Sequence, residues 1–155
     1  MSSEGQLNQA DIERILTEAL QTLYAENLEI LRLDVAERTI CAQLTGILQG
    51  SFDLHSVHAE YNRHGVEPKA IALPNADGVL TIGRVNPDII IHQPGHDEAN
   101  ILVIEVKKTT NPAPDDTDIA KLTQIKQQIG YRFAVFLRLP AGPTANPREI
   151  RIEWV

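Results

Sequence analysis

Two stretches of the chain are apolar enough to be buried β-strands, yet each carries charged residues. Residues 87–91 are a proline and an aspartate followed by three isoleucines, and residues 101–108 read Ile-Leu-Val-Ile-Glu-Val-Lys-Lys. Runs of this kind are typical of strands that are covered on both faces. A charge in such a strand costs several kcal/mol unless something pairs with it. Asp88, Glu105 and Lys107 therefore need a partner, and a divalent cation such as Mg²⁺ suits the two carboxylates.

The segment between these strands, residues 93–98, is rich in turn-forming residues, so the strands are predicted to form an antiparallel hairpin. Opposed side chains on one face of a hairpin lie roughly 5 Å apart, a separation that one cation can bridge. Lys107 follows Glu105 by two residues, so both are expected on the same face. The simpler alternative is that Asp88 caps a turn after Pro87, and that Glu105 and Lys107 form a surface ion pair worth at most about 1 kcal/mol.

Pro87-Asp88 on one strand and Glu105-Val106-Lys107 on the next resemble the signature of the PD-(D/E)xK nucleases, which have the restriction-endonuclease-like fold. The resemblance covers residues from about 34 to 139. It implies hydrolysis of phosphodiester bonds that depends on Mg²⁺, with Mn²⁺ as a substitute. It also implies that Asp88, Glu105 and Val106 hold the metal and that Lys107 assists the attacking water.

The resemblance leaves the identity of one further acid open. In many such nucleases the helix before the sheet carries an additional acid, and Glu37 is the residue in the matching helix; Glu60, on the following strand, is the other candidate. The helix after the third strand often presents lysine or glutamine toward the site. The residues expected to contact nucleic acid are Lys108, Lys121, Gln124, Arg63 and Asn62.

Hydrophobic periodicity predicts the order α-α-β-β-β-α-β-β, an α/β (α+β) fold with one mixed central sheet flanked by helices. The helices are expected at residues 11–24, at 34–50 with Asp34 and Glu37 in capping-box spacing, and at 118–130. Strands are expected at residues 57–62, 85–92, 100–107, 131–139 and 149–154, the last at an edge. Residues 65–78 are predicted to be a loop that holds a short extended piece, Lys69 to Leu73.

We interpret the chain as one domain, with an acidic helical extension over residues 1–33, a nuclease-like core over 34–139 and an added edge strand over 149–154. Its net charge of −7 is concentrated in residues 1–37, which carry eight acids and two bases. The rest is nearly balanced, so a site with bound metal can be locally positive although strong nonspecific duplex binding is not expected.

A cytoplasmic protein is expected, because Cys41 is the single cysteine and no stretch approaches the ~20 apolar residues of a membrane span. The expected partners are nucleic acid, with DNA favoured over RNA, and a second copy or a larger complex that adds specificity. His55, His58 and His64 are not favoured as a zinc site, because three-residue spacing on a strand alternates faces.

Two other functions remain open from the sequence. One is a non-catalytic binding or regulatory module that keeps the nuclease-like fold and acts through a protein partner. The other is hydrolysis of a small phosphate ester, which is the weaker hypothesis because the glycines do not form a phosphate-binding loop.

Overall fold

The computed structural model describes residues 7–61, 63–64, 67–74, 77–95 and 100–155, with the backbone alone at 63–64 and 67–68. Three α-helices occur in these ranges: α1 (Gln9–Arg32), α2 (Glu37–Gln49) and α3 (Asp116–Ile125), which continues as a π-helical turn, Lys126–Gly130. The strands, in chain order, are β1 (Ser56–Ala59), β2 (Arg63–His64), β3 (Glu67–Pro68), β4 (Ala70–Pro74), β5 (Leu80–Arg84), β6 (Ile89–His92), β7 (Leu102–Lys108), β8 (Phe133–Leu139) and β9 (Arg151–Trp154).

Five strands form one mixed sheet in the order β1-β6-β7-β8-β9. The predicted hairpin is confirmed, because β6 pairs antiparallel with β7. The connection from β7 through α3 to β8 gives the parallel pair of the sheet, as a helical crossover requires. The outer pairs, β1 with β6 and β8 with β9, are antiparallel. The fold is therefore mixed α/β, as the periodicity indicates.

The predicted element order is wrong for the chain as a whole, because it omits four short strands between β1 and β6. β2 pairs with β3, and β4 pairs with β5, as two separate two-stranded sheets. The extended piece expected at residues 69–73 is confirmed as β4, whereas β5 was not predicted and the strand expected at 85–92 begins only at Ile89. All five residues of β5 are exposed, so its sequence carries no alternation between a buried and a solvated face.

The helices follow the predicted positions but not all the predicted caps. α1 begins with a capping box formed by Asn8 and Asp11 and runs eight residues beyond the predicted Tyr24. The capping box expected from Asp34 and Glu37 is wrong. Asp34 has a left-handed backbone (φ 56°), and its carboxylate binds Lys108 and Thr110 rather than the start of α2.

The central sheet is covered on both faces. On one face α1 and α2 pack against the odd-numbered residues of β6 and the even-numbered residues of β7, including Ile89, Ile91 and Ile104. On the other face α3 packs against Ile90 and Val103 of the same strands. The acidic helix predicted as an extension is thus part of the core. No helix in the described ranges combines the length and apolar character needed to cross a membrane.

Replacing Ile104 with alanine tests this packing. Its side chain is fully buried in the middle of β7. We expect Ile104→Ala to lower the free energy of unfolding by about 2–5 kcal/mol, because the truncation leaves a cavity. Urea denaturation measures the change. Ile82→Ala is the matched control: its side chain is 82% exposed, so a loss beyond about 0.5 kcal/mol there would contradict the assigned burial.

Candidate active site

Strand β7 is longer than its neighbour β6, and carboxylates take the place of the missing strand. The pairing between the two strands ends at Ile104. Beyond it, Asp88 Oδ2 accepts a hydrogen bond from the main-chain N–H of Val106 at 2.8 Å, and Glu37 Oε2 accepts one from the N–H of Lys108 at 2.8 Å. Main-chain donors in a folded protein need partners. The two N–H groups that β6 leaves unpaired therefore hold Asp88 and Glu37 against β7.

Asp88, which is half-buried just before β6, and Glu105, which is buried in β7, form a carboxyl pair at this position. Glu105 is 4% exposed, and its carboxyl group is in hydrogen-bonding contact with that of Asp88. Burial, and then the charge of Asp88, raise the pKa of Glu105 to about 8. Burial also raises the pKa of Asp88, although the hydrogen bonds from Glu105 and from the Val106 N–H oppose the change. Two desolvated carboxyls side by side disfavour full ionisation.

Helix α3 supplies the cation nearest to this pair. Lys121 Nζ lies 2.9 Å from Glu105 Oε1. Burial acts to lower the pKa of Lys121, but the negative charges of Glu105 and Asp88 outweigh it, so the pKa is raised. The ammonium therefore remains charged beside the two acids. Lys121, predicted to contact nucleic acid, lies within the carboxyl cluster.

Lys107 lies on the same face of β7 as Glu105, as the two-residue spacing predicts, but its contacts are different. Its ammonium forms an ion pair with Asp118 at 2.5 Å and donates a hydrogen bond to the carbonyl of Pro114 at 3.2 Å. A lysine ammonium has three donors. These contacts with α3 and the preceding loop account for two of them.

A cleft of about 250 Å³ opens beside Asp88, between α2 and the end of β1. It is lined by Glu37, Arg38, Cys41, Ala59, Glu60 and Asp88. Glu60 has a left-handed backbone (φ 53°), donates its main-chain N–H to the Asp88 carbonyl at 3.0 Å, and contacts Arg38 at 3.4 Å. A glutamate in this conformation is uncommon, and such residues cluster at functional sites.

Cys41 contributes a buried thiol to the same cleft. Burial, and then the charge of Asp88, raise its pKa well above the ordinary value. The thiol is therefore held neutral, which disfavours it as a nucleophile. Cys41 belongs to the hydrophobic core.

The other residues expected to contact nucleic acid have varied positions. Lys108 Nζ binds Asp34 Oδ1 at 2.9 Å and the Val35 carbonyl at 3.0 Å, which ties it to the loop between α1 and α2. Gln124 Oε1 accepts a hydrogen bond from Gln128. Asn62 and the side chain of Arg63 lie outside the described residues. The sequence did not single out Arg38, whose side chain is 80% exposed and lines the cleft. Its position next to the candidate acid Glu37 was the only sequence feature that pointed to it.

The carboxyl pair fits a magnesium ion, although the described ranges contain no group of three histidine, cysteine or acidic side chains arranged to hold a metal. Mg²⁺ in proteins is commonly bound by one or two carboxylates and several waters. Glu105 Oε1 is buried, and despite its proximity to Lys121 it receives no hydrogen bond of ordinary geometry from the described residues. A cation at Glu105 Oε1 would have to displace the Lys121 ammonium.

Comparisons with known proteins do not assign the chain to a family. No family model, no curated protein and no solved structure matches it.

The raised pKa of Glu105 predicts how stability depends on pH without metal. Because the pKa is about 8 in the folded chain and about 4.5 when unfolded, the folded state holds the extra proton between these values. Stability should therefore fall as pH rises from 4.5 to 8. Glu105→Gln removes the titrating group, so at pH 8 we expect it to be more stable than the unsubstituted chain by at least ~1 kcal/mol. Urea denaturation in EDTA measures both proteins.

The exposed Glu26→Gln is the matched control and should retain the pH profile of the unsubstituted chain. If Glu105→Gln instead destabilises the protein equally at pH 4.5 and at pH 8, Glu105 is an ionised partner of Lys121. The conclusion that folded Glu105 stays protonated up to about pH 8 is then wrong.

Proposed function

We propose that the protein is a Mg²⁺-dependent nuclease that hydrolyses phosphodiester bonds in nucleic acid, with DNA favoured over RNA. The observation that carries the proposal is the contact between the carboxyl of Asp88, which directly precedes β6, and that of Glu105, which is buried in the adjacent antiparallel strand β7. The elements of the five-stranded sheet with α2 and α3 follow the order of a restriction-endonuclease-like core, which supports this fold assignment.

In the proposed enzyme, Asp88 and Glu105 hold the metal, and Mn²⁺ can replace Mg²⁺. A bound Mg²⁺ would lower the pKa of a coordinated water and offset charge on a phosphoryl oxygen. Val106 would contribute its main-chain carbonyl. The N–H and C=O of one strand residue point to the same side, and the Val106 N–H is directed to Asp88.

Two ammonium groups have separate roles in this proposal. Lys107 uses two of its donors on Asp118 and Pro114, and the third orients the attacking water. Asp118 and Pro114 thereby fix the direction of the Lys107 side chain. Lys121 contacts Glu105 and balances the negative charge of the carboxyl pair. The orientation of Lys107 thus depends on its ion pair with Asp118 in the first turn of α3.

Of the two candidates for an additional acid, we favour Glu60. The Glu37 carboxylate already accepts the main-chain N–H of Lys108 and has a structural use. The Glu60 carboxylate contacts the guanidinium of an exposed side chain, Arg38, and lies in the cleft with Asp88. Arg38 is a candidate for phosphate contact, since a guanidinium matches phosphate geometry.

The alternative is a non-catalytic binding or regulatory module that acts through a protein partner. One observation favours it: Lys121 pairs with Glu105 and Lys107 pairs with Asp118. The cluster can therefore be balanced without a cation. In that case the acids would serve the fold by accepting hydrogen bonds from the end of β7 that β6 leaves unpaired.

Cleavage assays test the proposed activity directly. We expect the protein to cleave duplex DNA, single-stranded DNA or RNA in Mg²⁺ or Mn²⁺. We expect Asp88→Asn, which alters a proposed metal ligand, to reduce the rate by at least the ~10–100-fold that the loss of an outer-shell partner costs at metal sites. Asp53→Asn is the matched control, because Asp53 is exposed beyond the far end of α2 and should keep full activity. Cleavage by the Asp88→Asn protein at the original rate would remove the assignment.

Metal titration separates the enzyme from the non-catalytic module. We expect isothermal calorimetry with Mn²⁺ to give one binding event that is lost in Asp88→Asn and Glu105→Gln but retained in Asp53→Asn. Lys121→Met should strengthen binding, because it removes the competing ammonium. A correctly folded protein that binds no Mn²⁺ in any form would favour the module.

A further inference from the structure

Strand β9 presents an outer edge with a self-complementary sequence. Among the described residues, β9 pairs on one side only, with β8. Val155 N–H donates to the Ala134 carbonyl at 3.0 Å. Hydrogen-bonded pairs alternate along an antiparallel ladder, so Arg151 and Glu153 also direct their main-chain groups to β8. The main-chain groups of Ile152 and Trp154 consequently face outward.

We propose that this edge pairs antiparallel with β9 of a second copy of the chain, about a two-fold axis at Ile152. In that register Ile152 lies opposite its own counterpart, and its outward N–H and C=O exchange hydrogen bonds across the axis. Arg151 of each copy then lies opposite Glu153 of the other. Each cross-strand pair of opposite charge stabilises a sheet by roughly 0.2–1 kcal/mol.

Charge selects this register over its neighbours. A two-fold axis perpendicular to the sheet requires one residue to oppose itself. Moving the axis to position 151 sets arginine opposite arginine, and moving it to 153 sets glutamate opposite glutamate. Like charges directly opposite destabilise a sheet. Among the axes at positions 151, 152 and 153, the one at Ile152 alone gives two complementary ion pairs.

The two charged side chains can form these pairs. Arg151 contacts Asp115 at 3.0 Å and Glu153 of its own chain at 3.7 Å, and both Arg151 and Glu153 are about half exposed. A guanidinium has five donors, so Arg151 can keep Asp115 and also bind the opposed carboxylate.

Apolar residues on the other face of β9 add to the complementarity. Ile152 is 38% exposed and lines a groove of about 170 Å³ together with Thr17, Leu20, Gln21, Pro147 and Ile150. In the proposed register, Trp154 of the second copy lies opposite Ile150. Its side chain is thus directed to the apolar groove. An isologous contact of this kind closes after two copies.

The dimer would contain one continuous ten-stranded sheet. Because the axis is perpendicular to the sheet, both copies present the same face in the same direction, and the two Asp88–Glu105 pairs lie on one face. This inference does not require nuclease activity and stands or fails separately from it.

Charge reversal with mixing tests the proposal. We expect the unsubstituted chain to be a dimer in sedimentation velocity at micromolar to millimolar concentrations. Glu153→Arg, and separately Arg151→Glu, should each raise the dimer dissociation constant at least about 10-fold, because both pairs become like-charged. An equimolar mixture of the two variants should restore dimers, since each arginine then opposes a glutamate. Circular dichroism confirms that each variant is folded.

Cross-linking checks the register without altering the charges. Ile152→Cys should form a covalent dimer under mild oxidation, because opposed strand residues are within disulfide distance. Thr17→Cys, on α1 at the groove, is the control and should not cross-link readily; Cys41 is buried in both proteins. A monomer at every concentration, failure of the mixed variants to associate, or equal cross-linking of both cysteine variants would overturn the proposal.

Discussion

The candidate site depends on the unequal lengths of two neighbouring strands. At this end of the hairpin β6 begins only at Ile89, opposite Ile104, whereas β7 continues to Lys108. The N–H groups of Val106 and Lys108 therefore need acceptors that are not carbonyls of β6. Asp88 and Glu37 provide them. This need for main-chain partners brings two acids to one strand end. The cluster of charges in an otherwise apolar hairpin is thus a direct consequence of how the sheet terminates.

The hydrogen bond from the Val106 N–H holds the Asp88 carboxyl next to that of Glu105. Burial there disfavours the ionised form of both groups. Lys121 lies on α3 and offsets part of the negative charge through its contact with Glu105, whereas Lys107 forms its ion pair with Asp118. The two proposed functions use this arrangement differently. In the proposed enzyme a metal ion would displace Lys121 from Glu105, whereas in the proposed module Lys121 would remain as a permanent counterion. Affinity for Mn²⁺ is therefore the property that distinguishes an enzyme from a module.

Much of the fold could be predicted from the residues, because the signal was local. The repeating apolar positions of α1, the uninterrupted apolar runs of β6 and β7, and the alternation in β9 each report a buried face. β5 was not predicted, because Leu80 and Ile82 are exposed and the strand has no buried face to produce an alternating pattern. The expected cap at Asp34 failed because its carboxylate binds Lys108, which is distant in the sequence and invisible to a local pattern.

By itself, the sequence determined that Glu105 and Lys107 share one face of a buried strand, since alternation and hydrophobic runs encode strand position and face. Asp88, expected within the neighbouring strand, lies directly before it and is half-buried. Only the tertiary structure decided which cations meet those acids. Lys121 reaches Glu105, and Lys107 turns to Asp118, because the packing of α3 across the sheet sets these distances. That packing depends on residues far apart in the chain, so no local pattern specifies it.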